Sequence, residues 1–178
     1  MSSLFCAVDS LVRPVVLAVT SYDFSLFLHV TAVVVGFGST FAESITFPVA
    51  MSLDNRYLPY VHRLQRSINQ WFATPAMIVI LATGFYQVSD RDWDMGDLWL
   101  SASFAIVIAI GGLLGAYFIP EDRKLQAMAE RDIAAAGAGE VVLSEEYLRR
   151  SRREGIVGAI TGLLVVVAIY LMVTKPGA

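Results

Sequence analysis

The hydrophobic positions of this chain gather into four long runs, and the segments between them hold nearly all of its charge. The first run, FSLFLHVTAVVVGFGSTFAESITFPVA from Phe24 to Ala50, is long enough to cross a bilayer, which takes ~20 predominantly apolar residues in a helix. It nevertheless carries a histidine and a glutamate, and lipid does not accept such side chains unless they turn toward protein or water. His29, Gly36, Thr40 and Glu43 follow one another at intervals of seven, four and three residues, so a helix sets all of them on one stripe. That stripe is expected to face the inside of a helix bundle.

The same pattern predicts transmembrane helices over 22–50, 68–88, 98–120 and 155–174. In the second, Pro75 lies about a turn inside the apolar run and predicts a kink toward the bundle, because proline frees a carbonyl one turn earlier. Gly111 with Gly115, and Gly158 with Gly162, form small-xxx-small faces that predict close helix packing or a dimer contact. Between the last two spans, residues 121–154 form a loop with helical structure of its own. PEDRKLQAMAERDIAAA has a helix start, GAG breaks it, and Ser144 with Glu145 and Glu146 starts the next helix. Before the first span, Leu4, Phe5, Val8, Leu11, Val12 and Val15 recur at helical spacing and predict an interfacial helix in residues 1–20, bent at Pro14. No basic start or small-residue cleavage site marks it as a signal peptide. The expected fold is all-α: one membrane domain, a four-helix bundle with an N-terminal interfacial helix and a helical cytoplasmic loop.

Composition agrees, since 56% hydrophobic and 16% charged residues in 178 is too apolar for a soluble domain of this size. The net charge of −3 gives no footprint for nucleic acid, and the single cysteine, Cys6, excludes a disulfide framework or a cysteine-rich metal site. The placement of the basic residues matters more. The segments 51–67 and 121–154 hold ten Lys and Arg, against three (Arg13, Arg91 and Lys175) on the other side. The positive-inside rule then predicts a bacterial-type inner-membrane protein with both termini outside. The cluster Arg149, Arg150, Arg152 and Arg153 would lie at the inner surface, where each charge attracts anionic lipid by ~1 kcal/mol.

His29 sits about five residues past the outer boundary, roughly 8 Å into the hydrocarbon at helical rise. Three readings are open: a hydrogen bond that joins two helices, a ligand to haem or copper, or a proton relay. Antiparallel tracing brings Thr83, Gly84, Ser101, Ser103, Tyr170 and Met172 to its level. Gly84 would leave room for a flat macrocycle, and Tyr170 or Met172 is a candidate second axial ligand or plain packing. His62 is on the opposite side, so a bis-histidine haem would need a dimer. Glu43 lies in the inner third of its span, near the level of Arg66, Gln70 and Thr74. It is expected to pair with Arg66 or Gln70 or to handle protons. It is fourteen residues, ~21 Å along the axis, from His29. The acidic segment DRDWDMGD departs from a calcium loop in the place of its glycine and in lacking a terminal glutamate, and reads as a solvated turn. No nucleophile elbow, phosphate loop, zincin pair or dinucleotide fingerprint occurs.

FLHV followed by small residues, then RLQRSINQWFATPAMIVILATGF, resembles two related groups of small helical membrane proteins. One is the copper-resistance D-type group with its uncharacterised relatives of about this size, and the other the four-helix membrane protoporphyrinogen oxidase family. Pro75, Ala76, Met77 and Ile78, with Gly84 nine residues after the proline, match the oxidase group's second helix. His29 falls at that group's first-helix histidine, which implies a haem-associated role. The group's third-helix lysine follows a Trp-Leu-x-Ala sequence, whereas here Trp99, Leu100, Ser101 and Ala102 are followed by Ser103. The resemblance therefore implies the fold and not the oxidase reaction, and the uncharacterised relatives are the better match. Three functions follow as expectations: a redox or accessory protein binding haem b, or else copper, through His29; a cofactor-free structural subunit of a homodimer or larger complex; and a proton or ion pathway through Glu43.

Overall fold

A computed structural model describes residues 19–177. The interfacial helix expected in residues 1–20, with Cys6 and Pro14, lies outside the described residues except at its last two positions. Every regular element among the described residues is helical: α1 Ser21–Met51, α2 Leu58–Ile68, α3 Thr74–Asp90, α4 Leu98–Leu113, α5 Ile119–Ala136 and α6 Glu145–Thr174. A short 3-10 turn, Asn55–Tyr57, leads into α2. Wide π turns, Asn69–Ala73 and Leu114–Phe118, join α2 to α3 and α4 to α5. Four continuous rods result, each long and apolar enough to cross a membrane: Ser21–Ala50, Asn55–Asp90, Leu98–Ala136 and Glu145–Thr174.

The second and third rods run well past the expected span ends. Residues 58–67, expected to be loop, are helix, and 121–136 continues the third span without a break. In α2, Pro59 occupies the first turn, where its missing N–H costs nothing, and Leu58, Val61 and His62 form a buried face. The prolines further along are accommodated by the π turns, each of which begins six residues before a proline, Pro75 or Pro120. Widening the turn relieves the clash between the proline ring and the preceding carbonyls, so the helix passes through where sequence suggests a kink or a stop. At the first π turn the Thr74 N–H and hydroxyl both donate to the Asn69 carbonyl, the hydroxyl at 2.8 Å.

The ends of the helices follow local chemistry. Thr20 caps α1 in a reciprocal capping box with Asp23. Gly137, at φ 56°, ends α5 in a conformation open to glycine, and Ser144 caps α6. Arg56 clamps the intervening turn by donating to the carbonyls of Gly137 and Gly139 at 2.8 and 2.7 Å.

Helix α1 packs chiefly on α3, α4 on α6, and α2 on α5. The α1–α3 seam is antiparallel and regular. The Gln87 side chain donates to Ser25 Oγ at 3.5 Å, four residues on His29 meets Thr83, and seven further a Cβ on Gly36 would lie 3.3 Å from Ala76 Cβ. Seven residues beyond that, the register sets Glu43 opposite Asn69. The expected glycine faces do not bring helices together within the chain. A Cβ on Gly111 would meet Met77, and at Gly115, Gly158 and Gly162 it would meet nothing within 4 Å. Gly36 supplies the close approach instead.

Two clusters hold the ends. At the arginine-rich end Ala50, Leu58, Val61, Leu125, Ala129 and Tyr147 form a buried core where the rods end. At the other end Trp99, Leu100 and Phe104 pack with Trp93 and Leu171. Lys175 Nζ lies 4.0 Å from the Trp93 ring centre and Arg91 3.9 Å from that of Tyr22, so two basic residues there are held on an aromatic belt.

Candidate functional site

The α1–α3 register and the helical extension α2 together place polar side chains beside Glu43. Between α1 and α6, a cavity of about 650 Å³ runs from the arginine-rich end toward mid-depth. Its walls are largely apolar, with Phe37, Phe41, Leu163 and Val166 among them, and Gly158 and Gly162 give it width. Its polar lining includes Glu43, Gln65, Asn69, Asp122, Ser151 and Glu154. Glu43 Oε1 and Gln65 Oε1 are buried with no hydrogen-bond partner among the described residues. A carboxyl in that position is costly unless it carries a proton or meets a cation.

The partners expected for Glu43 are elsewhere. Arg66 donates to Gln126 Oε1 at 3.0 Å, and Gln70 is exposed. Depth alone put those residues near Glu43, but the azimuth is fixed by the α1–α3 register and by the π turn at 69–73, which turn Asn69 and Gln65 inward instead. No lysine or arginine forms an ion pair with Glu43, Asp122 or Glu154 among the described residues. Arg150, from the basic cluster, is engaged by Glu121 at 2.8 Å and Glu146 at 3.1 Å, whereas Arg149, Arg152 and Arg153 are exposed.

Beneath Glu43 lies a group that the sequence reading did not assemble. His62, fully buried, contacts Asp122 Oδ1 through Nδ1 at 3.3 Å and the Tyr147 hydroxyl through Nε2 at 2.8 Å. One ligand atom each from His62, Asp122 and Glu154 lie within 4.8 Å of one another. The signal was present as the helical spacing Leu58, His62, Gln65, Asn69, which sets His62 on the buried face once 58–68 is taken as helix.

The second polar site is about two-thirds of a span away. His29 is 9% exposed, and its Nδ1 lies 2.9 Å from Thr83 Oγ1. Thr83 Oγ1 is also 2.6 Å from the Val79 carbonyl, and a hydroxyl that donates there accepts from a protonated His29 Nδ1. In that tautomer Nε2 carries the lone pair. Gly84 lies beside the His29 ring and Phe104: a Cβ there would be 3.7 and 3.5 Å from them. Ser103 donates to the Trp99 carbonyl of its own helix, and Ser101 to that of Asp97. Tyr170 is 61% exposed, and Met172 is half-buried. The acidic turn is organised internally, with Gly96 N–H donating to Asp94 at 2.8 Å.

Four apolar rods, with their histidine and glutamate directed between helices, define a multi-pass α-helical protein embedded in the lipid bilayer. The chain belongs to the family described as "predicted integral membrane protein (DUF2269)", whose sequence profile matches residues 24–176. No curated protein and no solved structure matches it.

Proposed function

We propose that the protein handles protons in the membrane, with Glu43 as the group that takes them up from the arginine-rich end of the bundle. By the positive-inside rule that end lies in the cytoplasm and both termini lie outside, in a bacterial-type inner membrane. The observation that carries the reading is the Glu43 carboxyl itself: Oε1 is buried without a partner among the described residues, in a cavity that extends to Asp122 and Glu154 near the membrane edge. A carboxyl without a counter-cation at that depth cycles between a neutral form and a costly anion, which suits it to accept a proton and pass it on. Farther along α1, the small and polar stripe of Thr40, Ser39 and Gly36 leads toward His29.

The test is proton movement in liposomes that hold the purified protein and an internal pH dye, driven by an imposed membrane potential. Uptake should exceed that of empty liposomes and fall at least tenfold in Glu43→Gln. Equal uptake by wild type and Glu43→Gln would remove the proposal.

A second reading is favoured by the hydrogen bond between His29 and Thr83. With Nδ1–H given to Thr83, Nε2 is available as a ligand to haem b or copper, and a second hydrogen bond of this kind is what orients ligating histidines. The likeness of His29 to the first-helix histidine of haem-associated proteins points the same way. A Soret band or bound copper in the purified protein, lost in His29→Ala, is the expected outcome; neither in wild type would exclude it.

A further inference from the structure

The geometry points to a binding site for a first-row divalent transition-metal ion at the arginine-rich end of the bundle, with His62, Asp122 and Glu154 as its protein ligands. The residues come from separate helices, α2, α5 and α6, and their ligand atoms all lie within 4.8 Å of one another. Ions of this class hold nitrogen and oxygen ligands at ~2.0–2.2 Å, which spaces neighbouring ligand atoms roughly 3 to 4 Å apart. The 3.3 Å between His62 Nδ1 and Asp122 Oδ1 matches an ion held between them at close to a tetrahedral angle.

The surroundings favour a cation. Glu121, next to Asp122, is neutralised by Arg150 and Lys124 at 2.8 and 3.5 Å. Asp122 and Glu154 have no such arginine or lysine among the described residues, and Glu43 lines the same cavity without one. Three carboxyl groups line one cavity, one of them 2% exposed, and a divalent ion would supply the positive charge they need when ionised. The Tyr147 hydroxyl, 2.8 Å from Nε2, supplies the outer hydrogen bond that fixes a ligating imidazole: with a metal on Nδ1, Nε2–H donates to Tyr147. Asp122 and Glu154 also line the cavity, from which water would complete the coordination. One imidazole with two carboxylates selects ions of the zinc, manganese and iron class over magnesium and calcium, which take all-oxygen sites. The site does not depend on proton handling by Glu43, which is not among its ligands.

The probe is Zn²⁺, measured by equilibrium dialysis of the full-length protein in detergent, with Co²⁺ absorption as the spectroscopic signature. One Zn²⁺ per chain is expected, retained in excess Mg²⁺ and Ca²⁺. Affinity should fall at least tenfold in Asp122→Asn, Glu154→Gln and His62→Gln, and ~10- to 100-fold in Tyr147→Phe. Asp92→Asn and Asp94→Asn in the acidic turn at the other end should leave it unchanged. Should buried His62→Gln fail to elute as a single species, half-buried Glu154→Gln carries the test. Binding well below one per chain, unaltered affinity in Glu154→Gln, or loss of binding on changing the acidic turn would overturn the site.

Discussion

Glu43 and His29 are both polar groups at membrane depth, yet their surroundings differ. His29 is joined to a neighbouring helix by a hydrogen bond, whereas Glu43 has an oxygen with no partner among the described residues. Thr83→Val should therefore destabilise the protein by about 0.5–1.5 kcal/mol, in line with interhelical hydrogen bonds in membranes, as read from thermal unfolding in detergent. Glu43→Gln should leave stability unchanged or raise it, since the amide removes the possibility of a buried charge. That the stripe from His29 to Glu43 faces protein was legible in the sequence, because charge at membrane depth admits no other arrangement. Its partners were legible only in part. Thr83 and Gly84 follow from depth alone, but at Glu43 a shift of one residue, Asn69 for Gln70, separates a group inside the cavity from one outside it.

At the scale of helices, the close contact is made by Gly36. A Cβ there already presses on Ala76, and a larger side chain has no path without separating α1 from α3. Gly36→Leu should cost about 1–3 kcal/mol and give polydisperse material on gel filtration, while Gly38→Leu, with nothing within 4 Å, should behave as wild type. The spans themselves were readable from hydropathy, and the turn between the last two helices from Ser144 and the GAG break. The continuity of the rods was not, because a proline near a span end normally signals a boundary. It is the π turns before Pro75 and Pro120 that carry the helices onward into α2 and α5. Those extensions are what bring His62 and Asp122 together, so the cluster could not be seen while residues 51–67 were read as a loop.

At the scale of the whole molecule, the two ends are built differently. One is a packed core of helical extensions clamped by Arg56, the other an aromatic belt holding Arg91 and Lys175. In cells whose protein has Cys6→Ser, a membrane-impermeant thiol reagent added outside should label a cysteine at Asp94 and not one at Gly139. Inverted vesicles should give the reverse, and labelling of both from one side would contradict the predicted orientation. The most direct measurement extends the same chemistry to the cavity. In the Cys6→Ser background, Glu43→Cys should react with a small hydrophilic thiol reagent supplied from the arginine-rich side. Ile45→Cys, two residues on and 63% exposed toward lipid, should not. If Glu43→Cys proves as unreactive as Ile45→Cys, or reacts only from the other side, water does not reach Glu43 by this cavity and the account of its role is wrong.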